Sequence, residues 1–140
     1  ELDSGNRTLE CTKHVMALKV FLTIKRYGVN IFSEFVDKTT DLASEFYEML
    51  QADTLFESPV IPQSNIVCFR YVPSKKAPEN IVSELNEAIR KQLLETKKFY
   101  IVRTKLNGKV YLRVALMNPF TEKRDLAELL LSIKDIARKI

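Results

Sequence analysis

The chain has 140 residues, of which 46% are hydrophobic and 29% charged, with a net charge of +4 from 22 basic and 18 acidic side chains. That size and balance describe one ordinary globular domain with a core of its own. They argue against a membrane-spanning protein, because no apolar run approaches the roughly 18–20 residues a span needs. They argue equally against a nucleic-acid binder, because the basic excess is mild and forms no clustered stripe.

The polar N-terminus begins abruptly and carries no secretory pattern. A piece of a longer chain is therefore expected, in a reducing, cytoplasmic setting. From Thr12 to Tyr27, the residues Val15, Leu18, Phe21, Leu22 and Ile24 recur at helical spacing. The Thr12 hydroxyl is placed to cap this helix, and Gly28 to close it in a left-handed conformation. Asn30 to Gln51 follows with almost no linker, as a long amphipathic helix carrying Phe32, Phe35, Val36, Leu42, Ala43, Phe46 and Leu50. The acids between Asp41 and Glu48 read as its solvated face.

Pro59 and Pro62 then break helical continuity. "NIVCFRYV", residues 65–72, is rich in β-branched and aromatic residues and reads as a strand ended by Pro73. Cys68 within it reads as a small buried hydrophobe. Cys11 and Cys68 have no metal-ligand spacing. Pro78 suits the first turn of a third helix running to about Lys97, with Ile81, Val82, Leu85, Ile89 and Leu93 on one face. Residues 99–118 predict a β-hairpin, since Asn107-Gly108 supplies the positive φ angles of a two-residue primed turn. Thr121 is expected to cap a last helix carrying Leu126, Leu129, Leu130, Ile133, Ile136 and Ile140. The order predicts an α+β fold: a small, mostly antiparallel sheet of three to four strands covered by helices. The short basic stretches "SKKAP" and "ETKKFY" read as solvated loop or helix ends.

For an isolated enzyme the chain is poorly equipped. It has one histidine and three glycines, with no phosphate-binding glycine loop. His14 falls one position from the apolar stripe of the first helix and reads as a boundary residue making one hydrogen bond. The helix dipole at that first turn disfavours its protonated form. Arg113 is the residue out of place. The Asn-Gly turn pairs Leu106 with Lys109, Thr104 with Tyr111, Val102 with Arg113 and Tyr100 with Ala115. Phe99, Ile101, Leu112, Val114 and Leu116 form the opposite, core face. Arg113 thus stands in mid-strand among apolar neighbours, and a guanidinium cannot shed its charge. Either that second face is open to solvent, or Arg113 pairs with a structural acid, or it offers its fork to a carboxylate ligand.

"DSGNRTLECTKHVMALKVFLTIKRYG", "NIVCFRY" and "VYLRVALMNPFTEKRDL" together resemble the C-terminal domain of the group II pyridoxal-phosphate-dependent amino-acid decarboxylases, in register over essentially the whole chain. That family includes the glutamate, aromatic-amino-acid and diaminobutyrate decarboxylases. The resemblance implies the small C-terminal domain of the aspartate aminotransferase superfamily, fold type I. Residues 1–11 would then be a junction from a large domain and its catalytic loop, with residues 12–140 forming the small domain.

On the same resemblance, pyridoxal 5'-phosphate, its lysine and the catalytic tyrosine belong to the large domain. This chain would hold no cofactor-binding, catalytic or metal-ligating residue and would be inactive alone. Arg113 matches the arginine that pairs with a substrate carboxylate, so the third of its readings moves to the front. The implied reaction removes the α-carboxylate of an L-amino acid as CO2, with the cofactor ring as electron sink. The implied partners are the amino-acid substrate, the chain's own large domain and a second copy in a homodimer, with no nucleic acid and no membrane. Met16, Phe21 and Lys13 depart from the family's usual Asp, Trp and Arg, which leaves the substrate open. The competing expectation is a non-catalytic structural or interaction domain with a decarboxylase-like fold.

Overall fold

The computed structural model describes residues 15–140, so Thr12, Cys11, His14 and the Asp3–Gly5 turn lie outside the described residues. The described residues up to Glu34 and residues 35–140 form two separate units. In the first, helix α1 spans Met16–Tyr27. Its end is closed by the Gly28 N–H donating to the Ile24 carbonyl at 2.8 Å. Gly28 has the positive φ expected of it, 82°, but its ψ of 170° is extended rather than left-handed helical. The chain leaves α1 in a direction open to glycine alone and re-enters helix at Asn30, the start of α2 (Asn30–Gln51).

In the second unit, α2 buries Thr39, Ala43, Phe46 and Leu50, while Val36 and the acids Asp41, Glu45 and Glu48 face solvent. The buried positions recur every three or four residues, the spacing of one helix face. The strands are β1 (Phe56–Glu57), β2 (Ile66–Tyr71), β3 (Val102–Leu106) and β4 (Lys109–Ala115), and the remaining helices are α3 (Glu79–Glu95) and α4 (Lys123–Ala137). The sheet order is β1-β2-β4-β3, with every neighbour antiparallel. This is the predicted α+β architecture.

Val67, Phe69 and Tyr71 of β2 and Leu112 and Val114 of β4 point to one side of the sheet. There they pack with Phe46 and Leu50, with Ile89 and Leu93, and with Leu126, Leu129, Leu130 and Ile133. The Phe46 and Phe69 rings meet edge to face at 5.2 Å, a geometry favoured by the ring quadrupoles.

The hairpin register matches the sequence reading from Leu106↔Lys109 through Thr104↔Tyr111 to Val102↔Arg113. Asn107 and Gly108 both have positive φ. The predicted pairing of Tyr100 with Ala115 is absent, because β3 begins at Val102. The Ile101 carbonyl instead accepts a hydrogen bond from Arg90 of α3.

Three helix ends also differ from expectation. Thr121 does not cap α4: its N–H closes a turn onto the Asn118 carbonyl. Glu122 and Asp125 cap the helix reciprocally in its place. Helix α3 stops at Glu95 rather than Lys97, which takes a positive φ of 58° beyond the last turn. Pro78 stands just before α3 rather than in its first turn. Ile81 and Ile140 are exposed, while Asn86 fills the position on α3 that faces the sheet.

Candidate functional site

The face of the sheet opposite the helices carries two arginines, which the fold treats in opposite ways. Cys68 and Arg113 are cross-strand partners on β2 and β4, and Val102 of β3 pairs with Arg113 from the other side. Arg113 is exposed and its side chain has no acid partner among the described residues. Cys68 is half-buried rather than buried as expected, because it lies on this open face. Burial pushes its thiol pKa up, and the Arg113 charge beside it opposes the shift.

Arg70 lies on the same face, two residues beyond Cys68, and is only 4% exposed. Its Nη1 donates to Glu79 Oε1 at 2.6 Å and its Nη2 to Glu57 Oε2 at 3.0 Å. Its guanidinium lies over the Tyr111 ring, 4.8 Å from the centroid, within range of a cation–π contact. The Tyr111 hydroxyl donates to Glu57 Oε1 at 2.8 Å. Glu79 also accepts from Ser83 at 3.1 Å and pairs with Lys109 at 3.5 Å.

Burial works to raise the pKa of Glu57, but hydrogen bonds from Arg70 and Tyr111 and the charges of Arg70 and Lys109 hold it below its ordinary value. Glu79 is lowered likewise: desolvation opposes the shift, and Arg70 and Ser83 outweigh it. Burial, and then the bond to Glu57, push the Tyr111 hydroxyl up to about 12. The network is therefore charge-balanced, and Arg113 is not part of it.

Sequence reasoning missed Arg70. The available signal was the period-2 alternation of "IVCFRY", which sets Cys68 and Arg70 opposite Val67 and Phe69. The basic stretches read as solvated are so: Lys75, Lys76 and Lys97 are exposed, and Lys98 pairs with Glu128.

Two hollows of the second unit each contain a lysine. A hollow of about 380 Å³ between the β4 end and α4 contains Lys98, which is engaged by Glu128. A second hollow contains Lys134, which is engaged by Asp53. Helix α3 begins with Glu79 and α4 with the Glu122–Asp125 box, whereas the first turns of α1 and α2 carry no acid. No group of three or more potential metal ligands occurs among the described residues, and none of their helices is long and apolar enough to cross a membrane.

An open antiparallel sheet with helices on one side and, on the other, an arginine with no acid partner among the described residues defines an α+β domain. The pyridoxal-dependent decarboxylase conserved domain matches residues 1–72, and the chain belongs to that family. Its members are pyridoxal-phosphate-dependent enzymes. The chain is 29% identical over 140 residues to an aromatic-L-amino-acid decarboxylase of Bacillus atrophaeus, covering 100% of this chain and 29% of the relative. It is 31% identical over 124 residues to tryptophan decarboxylase 2 of Oryza sativa subsp. japonica, covering 89% of this chain and 25% of the relative. Among solved structures, it superimposes with a TM-score of 0.80 at 27% identity on the glutamate decarboxylase domain of a diaminobutyrate-pyruvate transaminase and L-2,4-diaminobutyrate decarboxylase from Vibrio parahaemolyticus. That match covers 89% of this chain and 26% of the other. The chain thus spans less than a third of the length of these relatives, and its fold is that of a part of the fold type I decarboxylases.

Proposed function

We propose that this chain is the C-terminal small domain of a pyridoxal-phosphate-dependent decarboxylase that releases the α-carboxylate of an L-amino acid as CO2, and that Arg113 binds a substrate carboxylate. The observation that carries this reading is the contrast between the two arginines of one sheet face. Arg70 is doubly paired and buried, whereas Arg113 is exposed and unpaired among the described residues. A planar guanidinium fork binds a carboxylate through two parallel hydrogen bonds. Holding the substrate by that group fixes the orientation of the bond to be broken.

Residues 1–11 form the junction to a large domain, and residues 12–140 form the small domain. The large domain supplies the cofactor lysine, the phosphate cradle and the catalytic tyrosine, so this chain alone is inactive. The parent is a cytoplasmic homodimer. Its substrate belongs with those of its relatives, whose names include aromatic-L-amino-acid and tryptophan decarboxylases. The test is CO2 release by the full-length protein from a panel of tyrosine, tryptophan, phenylalanine, glutamate and 2,4-diaminobutyrate, each with added cofactor. Release from at least one is expected. Release from none overturns the reading in favour of a non-catalytic interaction domain.

A further inference from the structure

We propose that Ile66 and Ala115 are specificity-determining residues: beside Arg113 they form an apolar rest that takes the uncharged body of a carboxylate ligand and disfavours one bearing a second carboxylate. This rests on the reading of Arg113 as a carboxylate receptor, and it adds which carboxylates are received.

The sheet face that carries Arg113 is open at one end only. Toward the start of β4, Arg70 and Tyr111 are 4% and 3% exposed. The Arg70 fork is engaged by Glu57 and Glu79, and the Tyr111 hydroxyl by Glu57. Lys109, the next cation on that side, pairs with Glu79. Toward the end of β4 the face opens. Ile66 and Ala115 are cross-strand partners there, and both are exposed, Ile66 at 42%. Arg113 stands between the two ends, opposite Cys68 on one side and Val102 on the other, both half-buried.

Toward the open end, then, the side chains that border Arg113 are Cys68, Val102, Ala115 and Ile66, and none is an acid or a base. Ala115 follows Arg113 on the same face, about 6.8 Å along the strand. Ile66 lies diagonally across, at about 7–8 Å. Those spans are of the order of an amino-acid side chain. A ligand held by the Arg113 fork can lay an apolar body on Ile66 and Ala115, while toward Tyr111 it meets a closed surface. A second carboxylate laid on the same rest would leave water without gaining a partner. An apolar body gains by that move: removing about 55 Å² of apolar surface from water is worth roughly tenfold in affinity.

Protection of Arg113 from phenylglyoxal, which modifies guanidinium groups, reads carboxylate binding in the full-length protein, with the modification followed by peptide mass mapping. The probes are propanoate, hydrocinnamate (propanoate bearing a phenyl ring) and glutarate (bearing a second carboxylate). Hydrocinnamate is expected to halve the rate at a concentration about tenfold below that of propanoate, with glutarate no better than propanoate. In Ile66→Asn the advantage of hydrocinnamate falls below about threefold while propanoate protects as before. Ala115→Asn acts in the same direction. Ile81→Asn, at an exposed position on α3, leaves the advantage intact.

The proposal is overturned if hydrocinnamate and propanoate protect equally, if glutarate protects better than hydrocinnamate, or if the advantage survives Ile66→Asn with Ala115→Asn. Should Ile66→Asn fail to fold, Ala115→Asn alone carries the same contrast. Failure of the receptor reading is distinguishable: none of the three probes then protects Arg113, and the apolar rest falls with it.

Discussion

Glu57 and Glu79 are held ionised by Arg70 against the opposing effect of their own desolvation, so both carboxyls sit below their ordinary value of 4.5 in the folded chain. A carboxyl with a depressed folded pKa contributes stability that is present above its unfolded pKa and is lost as the pH falls through the folded one. Urea midpoints should therefore decline as the pH drops below about 5, and the decline should be shallower in the Glu57→Gln, Glu79→Gln double variant. Equal slopes would show that the Arg70 pairs carry no pH-dependent stability. Lys97 is a second residue whose backbone has a consequence. Its φ of 58° imposes the left-handed strain that glycine avoids. Lys97→Gly should stabilise the fold by roughly 0.5–1 kcal/mol, the strain relieved less the entropy added to the unfolded chain. A lower melting temperature would contradict this.

Among the elements, α3 and β2 are joined by Asn86. Its Oδ1 accepts from the Tyr71 N–H at 2.8 Å, and its Nδ2 donates to the Tyr71 and Val82 carbonyls, also at 2.8 Å. Asn86→Leu removes these partners from a fully buried position. It should cost about 2–3 kcal/mol in urea unfolding, the penalty of leaving buried backbone groups unsatisfied. A cost below about 0.5 kcal/mol would mean that other groups satisfy Tyr71.

The helices and the hairpin were legible in the sequence because their signals are local. Apolar periodicity marks α2, α3 and α4, and Asn107-Gly108 alone fixes the register that places Arg113 opposite Val102. What the sequence hid is non-local. β1 has only two residues and exists through its pairing with Arg70 and Tyr71. Arg70 finds its acids on β1 and α3, and no spacing within "NIVCFRYV" announces them. Asn86 breaks the apolar pattern of α3 for the sake of a strand far from it in sequence. Thr121 had the right chemistry for a cap, but the turn from Asn118 places Glu122 there instead.

At the scale of the whole molecule, the sheet of residues 35–140 is covered by helices on one side, and its other side presents Arg113, which has no acid partner among the described residues. The chain belongs to the pyridoxal-dependent decarboxylase family and spans 25–29% of the length of these relatives; the role proposed above for that open side is to receive a substrate carboxylate. On the proposed reading, the contribution of the described residues to catalysis rests on Arg113. The decisive measurement is kcat/KM of the full-length protein with Arg113→Ala, with the visible absorbance of bound cofactor recorded in the same sample. The account predicts a loss of about two orders of magnitude or more, the ~3 kcal/mol of a truncated charge pair, with the cofactor absorbance retained. Unchanged kcat/KM would remove Arg113 from the site and contradict the account.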